Sequence, residues 1–180
     1  MKQTKHLIYM SLLVAMALAL HLVERNIPVP FMTPGAKLGL ANLVTVIALY
    51  TLDKKSDVAK IIASRLVLSS IFGGSVSGLM YGSMGALLSF IIMIIIKEGL
   101  KEKVSMIGVS AAGAVFHNIG QLLVAALIVQ NIGVMLYLPV LSLAGIVTGI
   151  FIGIAANYTV AHMYKLPFFK EAVVKEKRIE

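Results

Sequence analysis

Six apolar stretches, each about long enough to cross a bilayer, fill almost the whole of this 180-residue chain. They run Leu7–Val23, Leu38–Leu52, Val58–Phe72, Leu79–Ile96, Val104–Val129 and Met135–Tyr164. A hydrocarbon core of about 30 Å takes roughly 20 helical residues, fewer where polar ends snorkel or the bilayer thins. In lipid every backbone N–H and C=O needs an internal partner, which leaves helices or a closed barrel. The runs here are continuous, as in Phe90–Ile96, whereas a barrel strand would alternate polar and apolar residues. The pattern predicts an all-α bundle of six transmembrane helices over residues 1–165 and a basic tail over 166–180. The connections are too short to fold alone, so any binding or catalysis must lie within or between the helices.

The net charge of +8 is distributed as a topology signal. Thirteen Lys and Arg residues flank one side of a six-span chain, from Lys2 and Lys5 through Lys54, Lys97 and Lys101 to Lys177 and Arg178. Only Arg25 and Lys37 flank the other, and Arg65 lies inside a span. The positive-inside rule then places both termini in the cytoplasm of a multi-pass cell-membrane protein. The basic tail fits contact with the lipid surface, and no nucleic-acid partner is expected. Lys2 and Lys5 before an apolar run containing Ala15-Met16-Ala17 resemble a secretory leader. No compact cleavage region follows, so the run is taken as the first span.

Catalytic and metal motifs are missing. Cysteine is absent, which removes disulfides and thiolate chemistry. His21 and His117 stand apart with no His-x-x-x-His or carboxylate cluster, so no metal site is expected. Asp53 and Asp57 sit in a lysine-rich loop and do not form the Asp-Asp-x-x-Asp array that holds magnesium on a prenyl diphosphate. No Walker lysine loop is present. The chain is expected to be no enzyme and to carry no cofactor.

The polar residues within the spans are unevenly placed. His117, Asn118 and Gln121 lie in span five, with His117 and Gln121 four apart on one face. His21, Glu24 and Asn42 fall in the same outer half. Arg65 lies about 12 Å along span three from Asp57, at a cost of at least about 2.5 kcal/mol unless paired or hydrated. It must snorkel, bind carbonyls, or face a wet cavity or an anionic ligand. Asn118 and Gln121 have an alternative role as interhelical glue. Above them the connection from Glu24 to Lys37 is fourteen residues long with Pro28, Pro30 and Pro34, a stiff strap suited to closing over a cavity. A Gly- and Ser-rich stretch, Ser69–Gly78, interrupts span three beneath the same strap. Ala15 and Ala19 in span one, and Gly145, Gly149 and Gly153 in span six, set small residues on one helical face and permit close packing.

Pro34-Gly35-Ala36-Lys37-Leu38-Gly39-Leu40-Ala41-Asn42-Leu43-Val44-Thr45, followed by His117-Asn118-Ile119-Gly120-Gln121, resembles the Gx transporter family. Its members are often labelled heptaprenyl diphosphate synthase component I. The resemblance covers approximately residues 5–165. The family in turn looks like the S components of energy-coupling factor (ECF) transporters, six-helix bacterial proteins that capture a vitamin or similar micronutrient from outside. The resemblance implies a small-molecule ligand held near the outer face by Asn42, Arg65, His117, Asn118, Gln121 and Lys37. It also implies that Ala15 and Ala19 dock on a transmembrane scaffold driven by two ATPase subunits. The synthase label leaves a second role open, a non-catalytic accessory of polyprenyl diphosphate or quinone biosynthesis, or of a flavin-linked electron-transfer system. A purely structural bundle, with the polar cluster filled by side chains and no cavity, is the third reading.

Overall fold

A computed structural model describes residues 2–25, 39–72 and 76–166. The strap over Pro28–Lys37, the Gly73–Ser75 stretch and the basic tail from residue 167 lie outside the described residues. Within them the chain is six α-helices: α1 Lys2–Arg25, α2 Asn42–Thr51, α3 Lys55–Ile71, α4 Val76–Leu100, α5 Met106–Val129 and α6 Leu138–Met163. The all-α expectation holds. Four helices are long and apolar enough to cross a membrane, namely α1, α4, α5 and α6.

The second apolar stretch departs from its expected length. In place of a span over Leu38–Leu52, α2 has only 10 residues, about 15 Å or half of a hydrocarbon core. Gly39 takes φ +83°, a left-handed conformation that suits glycine, and so keeps the helix from starting earlier. A helix this short cannot present itself to lipid on both leaflets. It is buried instead, with Asn42 and every residue from Val44 to Leu49 out of solvent. The third helix also differs, since it starts with three polar residues, Lys55, Ser56 and Asp57, ahead of the apolar run.

The remaining boundaries have local causes. Ser105 accepts a hydrogen bond from Gly108 N at 3.3 Å and caps α5, and Gln130 ends it in the left-handed region at φ 52°. Asn131 accepts from Gly133 N at 2.8 Å, starting a short 3-10 turn that leads into α6, where Pro139 occupies the first turn. Proline is well placed there because its missing N–H would have no helical partner.

Packing centres on α5, the most buried of the long helices, which lies against α2, α4 and α6. The α5–α6 contact is made by the glycines of α6. A Cβ on Gly149 would stand 2.5 Å from Ala111 Cα, and one on Gly153 would stand 2.6 Å from Ile107 Cα. The two backbones therefore touch directly, as small-residue repeats allow in lipid. On the opposite side of α6, Leu143, Val147, Phe151 and Tyr158 are exposed at helical spacing, a surface suited to acyl chains. α1 is divided in the same way. Leu13, Ala17 and Glu24 are buried, while Leu12, Ala15, Met16 and Ala19 face outward.

Polar contacts tie one end of the bundle together. His6 Nε2 meets Asp57 Oδ2 at 2.9 Å, and Lys60 Nζ meets Oδ1 of the same carboxylate at 2.8 Å. Tyr9 and Thr51 share a hydrogen bond at 2.7 Å, and Lys55 pairs with Glu98. Lys97 donates to Leu49 O at 2.6 Å and Tyr164 to Tyr50 O at 2.5 Å, so the last carbonyls of α2 are met from α4 and from the residue after α6. These contacts bring the starts of α1 and α3 and the ends of α2, α4 and α6 to one end. It is the lysine-rich one.

Candidate functional site

The polar groups of α5 define the other half of the bundle. His117 and Gln121 are buried one turn apart, and the Gln121 amide Nε2 donates to His117 Nε2 at 3.1 Å. Gly85 of α4 makes room for the ring, since a Cβ there would stand 2.9 Å from His117 Cε1.

His117 and Gln121 form one wall of a cavity of about 20 Å³. Arg65 and Ser69 of α3 form a second wall, and Gly78 and Gly82 of α4 a third. The last turns of α1 contribute His21 and Glu24, and Gly39 and Ala41 close the cavity ahead of α2. The volume suits about one water molecule. Of the polar cluster read from the sequence, His21, Glu24, His117 and Gln121 line this cavity.

Charge inside this cavity is arranged unusually. Glu24 is 3% exposed and Arg65 is 4% exposed. The charge of Glu24 acts on Arg65, yet no ion pair joins them among the described residues. The Glu24 carboxylate instead accepts the backbone N–H of Gly39. Arg65 Nε has no hydrogen-bond partner among the described residues. Asn42 Nδ2 is in the same state, beside Gly39 at the start of α2. A buried donor without a partner costs on the order of 1–3 kcal/mol. One of the two, Arg65, lines the cavity, and the other, Asn42, lies beside it.

The six residues expected to bind ligand separate into distinct groups. Arg65, His117 and Gln121 line the cavity. Asn42 is buried beside it, with its amide near Gly39. Asn118 is turned elsewhere. Its Nδ2 donates to Leu141 O at 2.7 Å and packs beside Gly145, so it holds α5 to α6. Adjacent helical residues point about 100° apart, and so Asn118 cannot share the face of His117. Lys37 lies outside the described residues. Ala15 and Ala19 are both exposed on α1. No group of three or more His, Asp or Glu side chains that could hold a metal ion occurs among the described residues.

Three cavity residues with polar side chains were not among the expected ligand-binding residues: His21, Glu24 and Ser69. Glu24 had a signal in the sequence, because it is the one acid at the far end of the bundle and Arg65 lacked a counter-charge. It read as a surface residue because it ends an apolar run. The N–H of Gly39 is what allows it to be buried.

No curated protein and no solved structure gives a significant match to the chain. Residues 13–159, which include the cavity residues, α2 to α5, most of α6 and the second half of α1, match the profile of one family. The chain belongs to the family described as heptaprenyl diphosphate synthase component I.

Proposed function

We propose that this protein is a substrate-capture subunit of a bacterial uptake transporter, similar to the S components of ECF systems. It sits in the cell membrane with both termini in the cytoplasm, and the cavity receives a vitamin-like micronutrient from outside. The observation that carries this reading is the cavity lined by His21, Glu24, Arg65, Ser69, His117 and Gln121 in the half of the bundle remote from the lysine-rich end. Arg65, His117 and Gln121 supply the polar contacts, Asn42 lies next to them, and Lys37 is a further candidate outside the described residues. The cavity has room for about a water molecule, so capture requires its walls to part. The chain has no catalytic role, and its energy comes from a scaffold subunit and two ATPases. Ala15 and Ala19 are exposed on one face of α1 and give a flat surface on which a scaffold helix can lie.

The family description favours a second reading, a non-catalytic membrane partner of a polyprenyl diphosphate synthase. Purification of the tagged protein from its own membranes separates the two. A co-purifying membrane scaffold with two ATPases supports transport, and a soluble prenyl synthase in their place overturns it. Ala15→Leu and Ala19→Leu should abolish that scaffold association without shifting the melting temperature of the isolated protein. Normal assembly by both variants would remove this face as the docking surface.

A further inference from the structure

Glu24 is held in a way that its own helix does not favour. It sits in the last turn of α1, where the helix dipole opposes negative charge. It is nevertheless buried, with its carboxylate on Gly39 N and its charge acting on Arg65. Around it are the left-handed turn at Gly39, the start of α2, and two buried donors, Arg65 Nε and Asn42 Nδ2, with no partner among the described residues. A turn of this kind at a helix N-terminus attracts anions. The Arg65 guanidinium and the Asn42 amide increase that attraction. The cavity that Glu24 and Arg65 line has no room for an organic molecule as it stands.

We propose that Glu24 is an internal stand-in for an anionic group of the ligand. A carboxylate or phosphate on the incoming molecule takes over Gly39 N–H, Arg65 and Asn42, and Glu24 swings out with the end of α1. Two anions cannot share this site, so entry of the ligand and release of Glu24 are one event. The released glutamate leaves the space that the ligand needs. This inference rests on the capture reading and narrows the ligand to an anion.

Chemical replacement of the missing carboxylate tests it. The full-length protein in lipid nanodiscs carries Glu24→Ala, and its melting temperature is followed in sodium formate, acetate, phosphate and chloride at matched ionic strength. Formate or acetate should restore much of the lost stability, chloride should not, and Arg65→Met added to the variant should abolish the rescue. Restoration by phosphate rather than by the carboxylates would assign the site to a phosphate-bearing ligand. Glu24→Gln keeps an acceptor for Gly39 and guards against a variant that fails to fold. It removes the competing charge, so acetate should stabilise it more than it stabilises wild type. Equal responses to all four salts in both variants would overturn the proposal. A carboxylate response in a protein that assembles with no transport partner would leave this site standing and remove the capture reading alone.

Discussion

His6 Nε2 lies 2.9 Å from Asp57 Oδ2 and joins the first turn of α1 to the first turn of α3. Lys60, 2.8 Å away, and then His6 hold the Asp57 carboxyl below the usual carboxylate range. Because this acid is lowered on folding, its contribution is complete above the unfolded value of about 3.9 and is lost as pH falls through the folded one. Both partners are themselves substantially exposed, with side-chain exposures of 44% and 66%, so the effect is under about 1 kcal/mol. Melting curves should show Asp57→Asn slightly less stable than wild type at neutral pH, with the difference shrinking as pH falls below the ordinary carboxylate range. A constant difference across that range would mean that the link is not electrostatic.

The backbone contact between α5 and α6 admits no methyl group. Gly149→Ala and Gly153→Ala each drive a Cβ into the main chain of α5, where no side chain can move aside. Each should cost about 1–3 kcal/mol in thermal or denaturant unfolding. Gly99→Ala, with nothing within 4 Å of the added carbon, serves as the control and should be neutral. Wild-type stability in Gly149→Ala would show that the helices separate freely.

Asn118 and Gln121 should behave in opposite ways. Asn118→Ala removes the bond to Leu141 O and should lower stability by about 0.6–1.7 kcal/mol, with little change in ligand affinity. Gln121→Ala should weaken binding by about 1 kcal/mol or more and shift melting less, because its face is the cavity wall. Isothermal titration of native ligand against both variants is the measurement. Equal losses of affinity would return Asn118 to the binding site.

Orientation is tested with single cysteines in a chain that has none of its own. Residues introduced at Lys101 and Gln130, at opposite ends of α5, should react from opposite sides of intact cells, with Gln130 outside. Labelling of both from one side would reject α5 as a span.

The sequence disclosed the helices where lipid alone decides their length. α4, α5 and α6 appear close to the expected stretches because a long apolar run with no partner information is already a span. It misjudged α2 because an apolar run that faces protein on all sides looks the same as one that faces lipid. The site was legible by depth but not by direction. His117 and Gln121 share a face by spacing, and Arg65 stood out by cost. Asn118 was drawn in by adjacency, although one residue of rotation sends it to α6. The burial of Glu24 depends on an N–H contributed by Gly39, fifteen positions away, which no local pattern announces.

The shortness of α2 bears on how the protein is made. A 10-residue helix of about 15 Å is a poor candidate for independent insertion, since an isolated segment would leave polar ends in hydrocarbon. α1 reaches it through Tyr9 and Thr51, but its last carbonyls acquire partners only when Lys97 of α4 and Tyr164 after α6 reach them. The ribosome has by then released nearly the whole chain. Seating of α2 is therefore a post-insertion step, and because Gly39 and Ala41 at its entrance wall the cavity, the pocket comes into existence only with that final docking.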